Sequence, residues 1–290
     1  MVDDLTPKSS KEELKEEEKI IPVPTDIEND TQNAASKSGF VVPSDMVPLP
    51  SQGRIYGPDS PLHLSKEVEV RFLTAADEDI LTSRSLLRSG KALDYLIDNC
   101  FIDKKIKSAD LISGDKNAIL TFLRVTGYGH EYITQINCPS CGEMIKYEFD
   151  LSKLNMQTLA IDPVVEGENR FVFKAPSGLD LEFKFLTTEE DKVIIDTMEK
   201  IKKATNSPLD QNITTRLKTQ IISVNGNNDP AVVARYVDAM PVRDSRALRK
   251  YMDDNNPDII MKQDYSCPKC GYEGEVDIPI GTSFFWPDTE

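Results

Sequence analysis

Four of the five cysteines fall in two matching turns, Cys138-Pro-Ser-Cys141-Gly and Cys267-Pro-Lys-Cys270-Gly. A C-x-x-C turn sets two thiolates on one side of a tight loop, and the glycine behind it can take the positive φ that a side chain resists. One such knuckle is half of a tetrahedral site. Two knuckles complete a four-thiolate shell, which suits Zn2+ as a structural ion with no position left for water or substrate. Iron in a rubredoxin-like shell is an alternative that the cysteine pattern alone leaves open. So are two knuckles that ligate separate metals, or one metal shared between two chains. A dithiol redox centre fits less well, because it needs C-x-x-C to open a helix after a strand, and each knuckle here leads into strand-like residues.

Other chemistry-bearing residues are few. Cys100 closes the apolar stretch ALDYLIDNC and reads as a buried core thiol. The only histidines are His63 and His130; His130 sits just before the first knuckle, but four thiolates already fill a shell, so it is expected at the surface or behind the ligands. No nucleophile elbow, HExxH, phosphate loop or dinucleotide fingerprint occurs, so no catalytic residues are assigned and the chain is expected not to be an enzyme. The carboxylate pairs Asp77-Glu78 and Glu189-Glu190 fall in first helical turns, where the helix dipole accounts for them. Phe284, Phe285 and Trp286 cluster in the carboxyl-terminal GTSFFWPDTE. Such aromatics either fold back onto the core or dock in another subunit, and the three are candidate partner-binding residues.

Cys141 and Cys267 are separated by 125 residues, 267 minus 141 minus 1, so tertiary structure has to bring the knuckles together. Period-2 alternation in YITQINC and EMIKYEFDL, and again in KQDYSC and YEGEVDIPI, predicts a β-hairpin around each knuckle. The framework behind them looks duplicated. EVEVRFLTAADEDIL (67–81) matches LEFKFLTTEEDKVI (181–194), each a strand followed by a threonine N-cap, Thr74 or Thr187. Asp77 and Glu190 stand three residues on, as a capping box requires. Asp115 and Asp244 each read as the cap of a later helix, and their offset, 244 minus 115, equals that of the knuckles, 267 minus 138, at 129 residues. The threonine caps differ by 113, 187 minus 74, which predicts a 16-residue insertion around 204–220. FVFKAPSGLDLEFKF (171–185) predicts a further hairpin turning at Ser177-Gly178.

The expected fold is therefore α+β, with two strand-helix-helix-hairpin units joined by a zinc-ribbon-like site. The expected organisation is a disordered acidic tail over 1–40, an extended Pro-rich arm over 41–66, a first repeat over 67–160 and a second over 161–290. Residues 1–31 carry ten Asp or Glu against four Lys, a composition that cannot bury enough apolar surface to offset ordering entropy.

The formal charge of −15 over 290 residues argues against nucleic acid or an anionic membrane as the main partner, because both would repel it. The first residues lack the basic start and apolar stretch of a secretory signal, which predicts a reducing compartment and favours metal over disulfides. Protein partners remain.

Together MVPLPSQGRIYG (46–57), EVEVRFLTAADEDIL, LLRSGKALDYLIDNC (86–100), DLISGDKNAILTFLRVTGYGHEY (110–132) and NCPSCG with YEFDLSKL resemble the baseplate hub protein family of T-even-like contractile-tailed bacteriophages. The resemblance runs from about residue 41 to the carboxyl end. It implies a non-enzymatic virion or tail-assembly protein, made in the host cytoplasm, working among other baseplate or tail proteins and able to form an oligomer in the hub. Its four thiols carry over as metal ligands by position. A transient tail-assembly chaperone and a host-directed zinc-ribbon adaptor are the alternative functions.

Overall fold

The computed structural model describes residues 42–205, 212–280 and 282–285. The expected acidic tail over 1–40 lies outside the described residues, as does Trp286.

The Pro-rich stretch begins as a strand. β1 (Ser44–Pro48) pairs antiparallel with β2 (Glu67–Arg71), Ser44 opposite Arg71 and Pro48 opposite Glu67. Alternation in EVEVR turns Val68 and Val70 into the core. Between the strands the chain turns repeatedly and buries Leu49, Ile55, Tyr56 and Leu62. Burying each of these side chains is worth about 1.5–3 kcal/mol, which draws the segment inward. The arm expected over 41–66 is thus built into the chain's own core.

Thr74 caps α1 (Ala75–Thr82) through the expected capping box, with the Asp77 carboxylate accepting from the Thr74 N–H at 2.8 Å. Asp77 is fully buried and is also held by both terminal nitrogens of Arg71 and by Asn99. After α2 (Arg84–Arg88) and α3 (Ala92–Cys100) comes α4 (Ser113–Tyr128), which buries Ala118, Ile119, Phe122 and Leu123. A Cβ on Gly114 would lie 1.9 Å from the Pro257 carbonyl oxygen, so only glycine allows this approach of the helix start to the later chain. β3 (Glu131–Asn137) and β4 (Met144–Asp150) form the first knuckle hairpin, followed by the short β5 (Asn155–Gln157).

A second run begins with β6 (Phe171–Lys174) and β7 (Asp180–Phe183), the hairpin expected at Ser177-Gly178. Thr187 and Glu190 then form the second expected cap: the Glu190 carboxylate accepts the Thr187 N–H at 3.1 Å, and Thr187 Oγ1 accepts the Glu190 N–H at 3.3 Å. α5 (Thr188–Thr205) ends where the expected insertion begins, α6 (Asn212–Gln220) falls within it, and 206–211 lie outside the described residues. β8 (Ile221–Val224) adds a third strand beside β7. α7 (Pro230–Ala239), α8 (Val242–Asn255), β9 (Asp258–Ile260), β10 (Lys262–Ser266) and β11 (Glu273–Asp277) complete the chain before a 3₁₀ turn at Thr282–Phe285. The fold is α+β, but more elements intervene than the expected two helices per unit: four helices in the first run, and four helices with β8 in the second.

Asp115 and Asp244 do not cap their helices. Ile112 and Pro241 occupy those positions, and each aspartate sits in the first turn, buried. Asp115 accepts from the Ser51 N–H at 2.9 Å, and Asp244 from the Ser177 N–H at 3.1 Å. The buried Ser51 N–H in the β1–β2 connection requires an acceptor, and Asp115 supplies it where the helix dipole also favours negative charge; Asp244 accepts in the same way from the less buried Ser177 N–H.

Links through the body of the fold tie the runs together. β5 pairs antiparallel with β9. Thr188 donates its N–H and hydroxyl to the Leu111 carbonyl at 2.8 and 3.0 Å. Asp94 accepts from both Lys116 and Lys192. The buried apolar side chains of both runs form a single cluster.

Candidate metal centre

Each knuckle closes in the same way. The Cys138 N–H donates to Glu143 O and the Gly142 N–H to Cys138 O, both at 2.9 Å; in the second knuckle the Cys267 N–H donates to Tyr272 O at 2.8 Å and the Gly271 N–H to Cys267 O at 2.9 Å. Gly142 and Gly271 sit at φ 70° and 71°, the left-handed region that the sequence reading required of them.

The hairpins bring these turns face to face. Cys138 Sγ lies 3.7 Å from Cys270 Sγ, and Cys141 Sγ lies 4.0 Å from Cys267 Sγ. All four sulfurs lie within 4.8 Å of one another. A tetrahedral ion with metal–sulfur bonds of about 2.3 Å sets its sulfurs about 3.8 Å apart, so this donor set fits a single zinc-sized ion with a small contraction. Cys138 and Cys267 are buried, whereas Cys141 and Cys270 are exposed. The site therefore lies at the surface with one cysteine of each knuckle facing inward. The Tyr265 hydroxyl, and after it the backbone N–H groups of Cys270 and Lys269, hold the Cys267 thiol below its ordinary value against the cost of burial. A lowered thiol favours the thiolate that a metal needs.

The contacts that register one hairpin on the other were not singled out from the sequence. Tyr147 of β4 packs edge-on against Tyr265 of β10, ring centroids 4.9 Å apart. Gln263 accepts the Asp150 N–H at 3.1 Å and returns a hydrogen bond to the Asp150 carbonyl. Lys269 reaches Glu143 across the two knuckles, and the Tyr132 hydroxyl donates to Pro279 O at 3.2 Å. Tyr265 was open to detection, since it stands two residues before Cys267 on the inward phase of the strand. Gln263, Lys269 and Glu143 look like ordinary surface residues.

The other residues singled out from the sequence stand apart from the sulfurs. Cys100 is buried at the end of α3, where desolvation pushes its thiol up to about 12, as a core thiol requires. His130 is exposed, and His63 places Nδ1 2.7 Å from the Tyr56 carbonyl. Among the described residues, the group placed so that it could hold a metal ion comprises the four cysteines.

Phe284 and Phe285 take the fold-back alternative. Both are buried, Phe284 edge-on to Tyr132 at 5.0 Å and Phe285 edge-on to Tyr128 at 6.3 Å. Arg124, itself buried, donates to the carbonyls of Phe284, Gly129 and Glu131 at 2.7, 2.6 and 2.8 Å. These two rings are already desolvated within the chain.

A family model described as T4 bacteriophage base plate protein matches residues 50–286, which include both knuckles and the buried aromatic pair. The chain belongs to this family. No curated protein matches the chain, and no solved structure does either. Among the described residues no helix is long and apolar enough to cross a membrane.

Proposed function

We propose that this chain is a non-enzymatic structural or assembly component of the baseplate hub in a contractile phage tail, held in shape by one structural zinc. Family membership over residues 50–286 is the observation that carries the baseplate role. The four convergent sulfurs support the zinc: they form a closed shell with no open coordination position, which suits a structural ion rather than a catalytic one. In this reading Cys138, Cys141, Cys267 and Cys270 are its ligands. The negative charge of −15 favours protein neighbours in the tail over nucleic acid.

The two runs are read as repeats. Each pairs a strand hairpin with a threonine cap, a first-turn aspartate that accepts a serine N–H, and a knuckle. The metal then joins the equivalent ends of the two units. Mass spectrometry of purified virions, with immunogold labelling of isolated baseplates, tests the assignment. A stoichiometric, baseplate-localised chain is expected; absence from mature particles together with presence on assembly intermediates would replace the structural role by a chaperone role.

A further inference from the structure

Beyond the Tyr132–Pro279 and Lys269–Glu143 contacts, the two knuckle hairpins are held together along one side. On that side Tyr147, Tyr265 and the hydrogen bonds between Gln263 and Asp150 hold β4 against β10. On the other side a groove of about 350 Å³ runs between β3 and β11, lined by Gln135, Ile136 and Asn137 of one and Glu275, Val276 and Asp277 of the other. A sheet face would present alternate residues, whereas three consecutive residues from each strand mean that strand edges wall this groove.

The phase of the hairpins decides what those edges offer. In an antiparallel ladder, alternate residues turn their N–H and C=O to the partner strand and the others turn them away. Hydrogen bonds from Cys138 N–H to Glu143 O and from Leu151 N–H to His130 O fix the even-numbered residues of β3 as the inward set. Those from Cys267 N–H to Tyr272 O and from Ile278 N–H to Met261 O do the same for β11. The peptide groups of Gln135 and Asn137, and of Glu275 and Asp277, therefore point out toward the groove. Among the described residues each strand pairs on one side only. Unpaired edges of this kind are templates for an added strand.

The lining also selects a charge. Ile136 and Val276 are buried apolar residues, while Glu275 and Asp277 are exposed and anionic, and Glu273 continues their row along β11. No Lys, Arg or His lines the groove, and Asp277 has only a long 3.9 Å approach from Lys262. The chain's own first 31 residues, with ten acids against four lysines, carry the wrong sign, and so does a second copy of a −15 chain.

We infer that this groove captures an extended, Lys- or Arg-bearing segment of another protein by strand addition between β3 and β11. The inference goes beyond the baseplate role, because it rests on edge chemistry alone and holds or fails whether or not the chain is found in virions.

The test uses the full-length zinc-loaded chain and a ten-residue peptide alternating Lys and Val. Two twins accompany it, one N-methylated at alternate residues and one with Glu in place of Lys. The Lys/Val peptide is expected to bind in fluorescence anisotropy and to slow amide exchange at Gln135, Asn137, Glu275 and Asp277. N-methylation removes several backbone hydrogen bonds and is expected to weaken binding by about tenfold or more. The Glu twin and the exposed-site variant Glu275→Lys/Asp277→Lys should weaken it similarly. Equal affinity for the methylated twin without amide protection would reduce the effect to plain charge attraction and overturn the proposal. It is also overturned if those amides are already protected without peptide and lose protection on dilution, which would mean a second copy. Loss of protection on removal of residues 1–41 would overturn it too, in favour of the chain's own amino terminus.

Discussion

Removing the metal should cost this chain far more than a local loop would lose. The shell joins turns that are distant in sequence, with Cys141 and Cys267 126 positions apart. A metal that binds the folded shell and leaves on unfolding stabilises the folded state by RT ln(1 + [Zn]/Kd), about 5 kcal/mol at 25 °C when free zinc exceeds its Kd several-thousandfold. Each kcal/mol moves the melting point of a chain this size by roughly 2–4 °C, so the zinc-free protein should melt about 10–20 °C lower. Elemental analysis should first find about one zinc per chain, because four thiolates make one shell. Calorimetry of loaded protein, chelator-treated protein and the double variant Cys138→Ser/Cys267→Ser then measures the loss. Hydrogen exchange should show it concentrated in the β3–β4 and β10–β11 hairpins. A metal-free chain that melts within about 3 °C of the loaded one, with both hairpins equally protected, would refute this linkage. Two zincs per chain would refute the single shell.

Phe284→Ala and Phe285→Ala should each destabilise the chain by about 3–5 kcal/mol in urea titrations, since both rings are buried against Tyr132, Tyr128 and each other. Gly114→Ala should cost about 1–3 kcal/mol, because the new methyl meets the Pro257 carbonyl; an unchanged denaturation midpoint would show that the backbone gives way freely. Burial raises the Asp115 carboxyl to about 6 against three donated hydrogen bonds, so the folded state binds its proton more tightly than the unfolded one. Its contribution to stability is full below about pH 4 and is lost as pH rises through about 6, a swing of about 3 kcal/mol that Asp115→Asn should remove from stability–pH curves.

What could be read from the sequence was what depends on local chemistry. Both threonine caps, the hairpin at Ser177-Gly178 and the two knuckle turns need only residues within a few positions of each other, and all formed as expected. Asp115 and Asp244 look like caps by the same local rule, yet each is claimed by a serine N–H more than 60 residues away, a partner that spacing along the chain does not reveal. In the Pro-rich stretch the prolines mark extended backbone, but the pairing of that strand with β2 and the burial of the residues after it depend on packing. Convergence of the four sulfurs followed from ligand chemistry, which demands a full shell. The contacts that enforce it, Gln263 with Asp150 and Tyr147 with Tyr265, carry no sequence signature because a glutamine and two tyrosines serve equally well on any strand.

Placement of the cross-chain links suggests why the shell lies where it does. β5–β9 pairing, the Thr188 bonds to Leu111 and the shared lysines on Asp94 join the two runs through the body of the fold. At the knuckles one cysteine of each is exposed, and the apolar side chains buried in the two hairpins include Ile136, Ile145, Tyr265 and Val276. Two-stranded hairpins of this size are marginal by themselves in water. In the proposed reading, a metal held by the four thiolates would fix the two hairpins to each other and keep the β3 and β11 edges at a fixed separation. A groove walled by strand edges can accept an added strand only if that separation is kept. The metal's contribution to binding at the groove is therefore geometric, and loss of zinc should abolish strand capture even under conditions where the body of the chain remains folded.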